Sequence, residues 1–176
     1  MTTYDTNIPR TAGGWVAALL ATLVIIVLLP PVLLFLAIRT AFYSLVLVGL
    51  WIAWLPQGKD LLLIYSNSPY WQGYFETKFL PSLEARSLTL NWSERKKWSY
   101  LSLRRLAFDG FAGEREFNPL AIVFKPFRWP KRFRFYQEFR DLKHGNEKPI
   151  CAVVDRLAAT LDSPIPYPDF DPRPSV

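Results

Sequence analysis

The sequence predicts an α/β protein: two N-terminal transmembrane helices followed by a small three-layer α/β domain with a mostly parallel sheet. Three observations support this. Arg39 is the only charged residue in the hydrophobic stretch 15–55, the rest of the chain alternates strand-like and helix-like segments, and the last fourteen residues are rich in proline. The predicted order is an N-terminal tail (1–14), a membrane hairpin (15–57), the α/β domain (58–162) and a disordered proline-rich tail (163–176).

The apolar stretch is longer than one membrane crossing requires. At about 1.5 Å per residue a single helix of this length would run roughly 60 Å, twice the ~30 Å hydrocarbon core. Two breaks compete for the turn of the hairpin, Pro30-Pro31 and Arg39-Thr40. We place the turn at Arg39-Thr40, because turning at the prolines would carry Arg39 into the second helix at a cost of about 2.5–3.5 kcal/mol.

Charge favours a cytoplasmic position for the domain. The chain has 21 Lys/Arg and 15 Asp/Glu; without Arg10, Arg39 and Asp5, nineteen and fourteen remain from Lys59 onward, a net charge of +5. The single Cys151 suits a reducing compartment. With two spans the N-terminal tail lies on the same side, so the sequence predicts a multi-pass membrane protein whose soluble domain faces the cytoplasm.

Strands and helices alternate along the predicted domain. The residues of the first strand, 61–65, form a continuous apolar run, a pattern typical of a strand buried on both faces. The helix after it is predicted to begin at Ser68-Pro69 and to end at Pro81. The predicted strands cover 61–65, 87–92, 120–124 and 133–136. The predicted helices cover 69–80, 93–108, 139–142 and 150–161.

The loops at the carboxyl ends of the predicted strands are polar, and ligands of α/β folds bind at such loops. If the first three strands are parallel neighbours, two helix N-termini would face a basic side chain across a crevice, an arrangement that binds anions such as phosphate. The alternative is that the serines and asparagines only cap the turns. The candidate anion or ligand site comprises Ser66, Asn67, Ser68, Asn91, Ser93, Arg95, Lys125 and Arg128.

Several kinds of site are disfavoured. Neither GxGxxG nor GxxxxGK occurs, so the familiar nucleotide-binding loops are missing. One His144 and one Cys151 are too few for an ordinary metal site, and no cofactor is predicted. A Ser-His-Asp arrangement would need the same His144, whose polar loop is more typical of a helix C-terminus.

A second candidate surface is the basic segment 125–134, which mixes five positive charges with aromatic residues and has no negative charge. Beside a bilayer this composition predicts contact with anionic lipid. Nucleic acid is the less favoured partner, because the domain is tethered to a membrane. A solvated loop that covers the core is the remaining alternative. The candidate membrane-surface residues are Phe127, Arg128, Trp129, Lys131, Arg132 and Arg134.

Three segments carry a resemblance to known proteins: Leu-Ile-Tyr-Ser-Asn-Ser-Pro-Tyr-Trp at 63–71, Leu-Asn-Trp-Ser-Glu-Arg-Lys-Lys-Trp at 90–98, and Arg-Glu-Phe-Asn-Pro-Leu at 115–120. With them, most of residues 59–146 resembles a family of small bacterial membrane proteins with a hydrophobic N-terminal hairpin. The resemblance implies the bacterial inner membrane but no activity.

The strand-loop-helix opening of the domain is more distantly similar to TIR-like and flavodoxin-like domains. In TIR domains that cleave NAD, a Trp-Cys-x-x-Glu pattern carries the catalytic glutamate. Trp92-Ser93-Glu94 has neither that cysteine nor that spacing, so the similarity implies a fold and not NAD cleavage.

Together these patterns predict a membrane-anchored binding or regulatory module. One alternative is an enzyme that acts on a phosphorylated or nucleotide-linked substrate at the membrane surface. Another is a structural subunit of a membrane complex that contacts a protein partner through its hairpin.

Overall fold

The computed structural model describes residues 12–113 and 118–168. The chain divides into two compact units, residues 1–44 and residues 45–176. Most of the predicted N-terminal tail (1–11) and the end of the predicted proline-rich tail (169–176) lie outside the described residues.

The apolar stretch forms one continuous helix, α1 (Ala12–Trp54), of 43 residues. The prediction of two transmembrane helices with a turn at Arg39-Thr40 is therefore wrong. Arginine is a good helix former and a single threonine is tolerated, so nothing at that pair ends a helix. The prolines Pro30 and Pro31 lie inside α1, where they remove backbone donors without ending the helix.

The excess length of α1 has a simple explanation. Its last turns belong to the second unit, where Leu47 and Leu50 are buried in the domain core together with Val46 and Trp54. In the first unit the large apolar side chains of α1 are exposed, from Trp15 through Phe42. Residues 14–57 are long and apolar enough to cross a membrane, a test that a signal sequence near the N-terminus also passes.

The four strands form one mixed sheet, and the predicted mostly parallel sheet is wrong. β1 pairs parallel with β2 but antiparallel with β3, and β3 pairs antiparallel with β4. A continuous apolar run indicates burial on both faces, which a central antiparallel strand between two helical layers also has, so it does not determine strand direction. The strands are β1 (Leu61–Tyr65), β2 (Ser87–Asn91), β3 (Leu120–Val123) and β4 (Lys131–Arg134), in the order β2-β1-β3-β4.

Short helical segments connect the strands. Pro81 does not end the helix after β1; it lies in the first turn of α3, directly after a π-helical segment, where a missing backbone donor is tolerated. The helical segments after α1 are the 3₁₀-helix Leu55–Gln57, α2 (Gln72–Tyr74), the π-helix Phe75–Phe79, α3 (Leu80–Leu83), the 3₁₀-helix Trp92–Lys97, α4 (Leu103–Phe111), α5 (Tyr136–Lys143) and α6 (Lys148–Leu161).

The sheet lies between two helical layers. One face, which includes Leu63 and Tyr65, packs against Phe75 and Phe79 of the π-helix and against α5 and α6. The other face is covered by the end of α1 and by α4: the rings of Trp54 and Phe124 are 5.5 Å apart, and those of Phe111 and Phe124 are 5.7 Å apart. The last turns of α1 are thus a core element of the domain.

A half-buried ion pair connects three elements where β1 and β2 begin. The guanidinium of Arg86 donates two hydrogen bonds to Asp60, at 2.9 and 2.5 Å, and one to the carbonyl of Leu161 at the end of α6, at 2.6 Å. Hydrogen bonding to Asp60 is the largest effect that raises the pKa of Arg86.

The first part of the predicted disordered tail packs on the domain. Ile165 is buried, and the hydroxyl groups of Tyr74 and Tyr167 donate hydrogen bonds to the carbonyl of Pro166 and the carboxylate of Asp155, at 2.9 and 2.5 Å. The ordered domain therefore extends beyond the predicted limit of residue 162.

Candidate functional site

The carboxyl ends of β1 and β2 lie side by side, because the two strands are parallel and Tyr65 is in register with Asn91. The structure therefore brings together the first two groups of predicted site residues, the loop Ser66–Ser68 and the turn Asn91–Ser93. Asn67 and Ser93 are exposed there, while Asn91 is half-buried.

Three side chains close a hydrogen-bond network between the two loops. The Nδ2 of Asn91 donates to Oδ1 of Asn67 at 2.5 Å, and the backbone N–H of Asn67 donates to Oγ of Ser93 at 3.1 Å. The backbone N–H of Ser93 donates to Oδ1 of Asn91 at 2.9 Å, which caps the 3₁₀-helix. Next to it, Nε1 of Trp71 donates to Oγ of Ser66 at 3.3 Å. Most of these polar groups are thus engaged in capping and loop-to-loop bonds.

The surroundings of Tyr65 are acidic. Burial raises the pKa of the Tyr65 hydroxyl, and the charge of Glu76, a hydrogen bond to Glu76 and the charge of Glu94 raise it further. Glu94 is also paired with Lys97 at 3.1 Å, so Glu76 is the carboxylate here that favours a hydroxyl-bearing or cationic ligand.

Lys125 and Arg128 lie at the other end of the sheet. Because β3 is antiparallel to β1, Val123 pairs with Leu61, and the chain after β3 emerges where β1 begins. At roughly 3.3 Å per residue, the length of β1 separates this end from the network by about 15 Å. The Nζ of Lys125 instead forms an ion pair with Asp162, at 3.2 Å. The predicted basic side chains therefore do not face the loop serines across a crevice.

Arg95 lies on the 3₁₀-helix beside the network, with its guanidinium 5.1 Å from the ring centre of Trp92. It also donates a long hydrogen bond, 3.4 Å, to the Trp92 carbonyl. Binding of a ligand by Arg95 and the loop residues stays a prediction.

A groove of about 420 Å³ runs along the edge strand β2 and was not predicted from the sequence. Glu76 both lines the groove and interacts with Tyr65, the last residue of β1. One signal in the sequence was available: Ser87, Thr89 and Asn91 alternate along β2, so these polar residues share one face. The groove is lined by Lys59, Glu76, Leu80, Pro81, Glu84, Ser87 and Thr89.

The predicted membrane-surface residues are mostly exposed. Phe127 and Trp129 are 91 % and 64 % exposed, and the charged residues Arg128, Lys131 and Arg132 are exposed as well. Arg134 differs, because it is half-buried and its Nη2 donates to the Ala112 carbonyl at 3.2 Å.

Across residues 12–113 and 118–168, no group of three or more His, Cys, Asp or Glu side chains is placed to hold a metal ion. His144 follows α5 and donates its backbone N–H to Asp141, and Cys151 is half-buried on α6.

No protein-family model matches this chain, and no curated protein and no solved structure shows significant similarity to it. The resemblance to a family of small bacterial membrane proteins therefore stays a prediction.

Proposed function

We propose that the protein is a membrane-anchored binding module, in which α1 crosses a bacterial inner membrane once and the domain from Leu45 onward binds a small polar ligand. The observation that carries the anchor is the exposure of large apolar side chains in the first part of α1, such as Val27 at 60 % and Leu34 at 62 %. So many exposed apolar groups on one helix are unfavourable in water and favourable in lipid.

The span begins near Trp15 and ends near Arg39, whose guanidinium lies 5.9 Å from the ring centre of Tyr43. At about 1.5 Å per residue this segment covers roughly 36 Å, enough for the ~30 Å hydrocarbon core. A tryptophan at one end and an Arg-Tyr pair at the other suit the two membrane interfaces.

The domain faces the cytoplasm in this proposal. Arg39 and the basic segments at 95–97 and 125–134 come after the span, whereas Arg10 and Asp5 before it cancel. Positive charge near the end of a span favours the cytoplasmic side. With a single span, residues 1–14 lie on the opposite side of the membrane.

The ligand site of the proposal comprises the Asn67–Asn91–Ser93 network and the groove along β2, because Asn91 of the network lies on the same face of β2 as the groove residues Ser87 and Thr89. The site offers amide, hydroxyl and carboxylate groups, so we favour a hydroxyl-rich or amine-bearing small molecule.

Topology is tested in cells with a membrane-impermeant thiol reagent. Native Cys151 is replaced by serine, and one cysteine is introduced at the exposed Tyr70. Tyr70→Cys should be labelled only after the cytoplasmic membrane is opened, and the protein should stay in the membrane fraction at high pH. Labelling in intact cells would show that the domain faces the opposite side of the membrane, and release of the protein at high pH would contradict the anchor.

Ligand binding is tested by thermal shift of the full chain in mild detergent against sugars, amines, nucleotides, nucleotide sugars and phosphorylated metabolites. A ligand at a hundred times its Kd should add about 2.7 kcal/mol to the stability. Asn67→Ala should abolish the shift, whereas Asn146→Ala, also at an exposed loop asparagine, should leave it unchanged. A shift that survives Asn67→Ala, or no shift with any compound, would contradict the proposed site.

A further inference from the structure

One side of the domain carries an apolar surface that the core does not use. In the last part of α1, Leu45, Val48 and Ile52 are 71 %, 44 % and 71 % exposed. At 100° per residue these three side chains form one stripe, opposite the buried Leu47 and Leu50.

Two loops continue the stripe on both sides. Around the helix, Gly49 lies on one side of the stripe and Trp51 on the other. Leu103 lies 4.0 Å from the Cβ position of Gly49, and the ring of Phe127 is 5.6 Å from that of Trp51. The loop before α4 contributes Leu101, which is 86 % exposed, and the loop after β3 contributes Phe127 and Trp129. We call Leu45, Val48, Ile52, Leu101, Phe127 and Trp129 the lateral face.

The backbone at Phe127 is strained, and the side chain is exposed. Its φ is 55°, a conformation that side chains other than glycine, asparagine and aspartate rarely adopt, yet the ring is 91 % exposed. A strained backbone that presents an aromatic ring to the outside indicates a function for that ring.

The rim of the lateral face is basic. Arg104 lies beside Leu103, and Arg128 and Arg132 lie in or after the Phe127 loop; all three are exposed. There is no acidic residue in 125–134. Apolar and aromatic side chains with a basic rim are complementary to the headgroup region of an anionic bilayer.

We propose that the lateral face docks on anionic lipid of the membrane that α1 crosses, with Leu101, Phe127 and Trp129 inserted among the headgroups. This inference rests on the anchor of the proposed function and adds a second, electrostatic contact that fixes the orientation of the domain.

The test uses the full chain with Cys151→Ser in lipid nanodiscs, a single cysteine with an environment-sensitive dye, and a lipid that carries a quencher near the headgroup. The probe positions are Phe127→Cys and Leu101→Cys. The matched control for Phe127→Cys is Tyr70→Cys, because Tyr70 is also an exposed aromatic residue beside a basic one, Lys143, but lies after the opposite end of the sheet from Phe127. A probe in the middle of the span, Val27→Cys, reports on the anchor separately, with a lipid that carries the quencher on its acyl chain.

We expect quenching at Phe127→Cys and Leu101→Cys in nanodiscs with anionic lipid, at least about twofold above that at Tyr70→Cys, and a decrease with salt. The double variant Arg128→Gln and Arg132→Gln should reduce the quenching at Phe127→Cys to its level in zwitterionic lipid.

Quenching at Val27→Cys together with no excess at Phe127→Cys over Tyr70→Cys would overturn the docking and leave the anchor in place. If Val27→Cys is not quenched, the anchor and the docking both fail. If the probes on the lateral face are shielded only in discs with two chains and are not quenched by lipid, a second copy covers the face and the docking is also overturned.

Discussion

The two parts of α1 are similar in composition and opposite in environment. Leu33 in the first part is 55 % exposed, whereas Leu50 in the last turns is 1 % exposed, although both lie in one uninterrupted apolar helix. The difference comes from the domain that the later part of the chain builds: residues 45–54 pack on the strands and on α4, and residues 14–44 belong to a separate unit. Hydropathy thus reports that a segment avoids water, but not whether lipid or protein covers it.

The largest expected effect is that of removing the second part of α1. A chain that begins at Lys59 loses the buried Leu47, Leu50 and Trp54, at about 1.5–3 kcal/mol each, which together approach the whole stability of a small domain. We expect this chain not to fold, whereas a chain that begins at Leu45 should unfold cooperatively. Near-UV circular dichroism during thermal unfolding in mild detergent compares the two. Equal melting temperatures would show that the last turns of α1 are not part of the core.

A single substitution tests the same contrast without truncation. Leu50→Ala should cost about 3 kcal/mol, because it deletes a fully buried side chain and leaves a cavity. The matched change Leu33→Ala, in the exposed part of the same helix, should change the stability by less than about 0.5 kcal/mol. Both values come from chemical unfolding of the full chain in detergent. Similar losses for the two variants would contradict the division of α1 into two environments.

The two environments also explain why the first prediction of the fold was wrong. A stretch as long as residues 15–55 needs a turn only if all of its apolar residues are in the bilayer. Arg39 was assigned to that turn because of its charge, although no glycine or proline ends the helix there. The first three strand positions are readable from apolar or alternating runs, whereas β4 (Lys131–Arg134) begins two residues before the predicted 133–136. Strand direction depends on where the chain enters the sheet after α4, which local patterns do not encode.

The candidate site was likewise predictable only in part. The neighbouring loops at Asn67 and Asn91 were found because β1 and β2 are parallel, as expected. Lys125 was assigned to the same site only through the assumption of a parallel β3. The groove beside Ser87 and Thr89 depends on the position of Glu76 and Glu84 against the edge strand, a tertiary contact without a local sequence signal except the alternation of polar residues.

An intermediate loss of stability is expected when the Arg86–Asp60 ion pair, which lies where β1 begins, is removed. Arg86→Gln removes a bidentate bond to Asp60 and a bond to the Leu161 carbonyl, with side chains only 27 % and 15 % exposed in the pair. We expect a loss of about 2 kcal/mol, since charged hydrogen bonds away from solvent contribute more than surface pairs.

Lys97→Gln is the matched control, because its pair with Glu94 is 76 % and 53 % exposed and should contribute less than about 0.5 kcal/mol. Urea unfolding of the full chain in mild detergent measures both. If Arg86→Gln costs no more than Lys97→Gln, the pair does not hold the start of the sheet.

The smallest effect concerns Gly58, the residue that redirects the chain from the last turns of α1 into β1. Its φ is 71°, it ends the short 3₁₀-helix Leu55–Gln57, and open space surrounds its Cβ position, so Gly58→Ala introduces strain but no clash. A loss of about 1 kcal/mol is expected.

Gly73→Ala in α2 also has open space around it but no positive φ, and it should instead stabilise the protein by about 0.5–1 kcal/mol. Differential scanning calorimetry of the two variants in one detergent gives the signs directly. Opposite signs would show that the junction depends on a left-handed residue, whereas two stabilising substitutions would mean that the chain can leave α1 by another path.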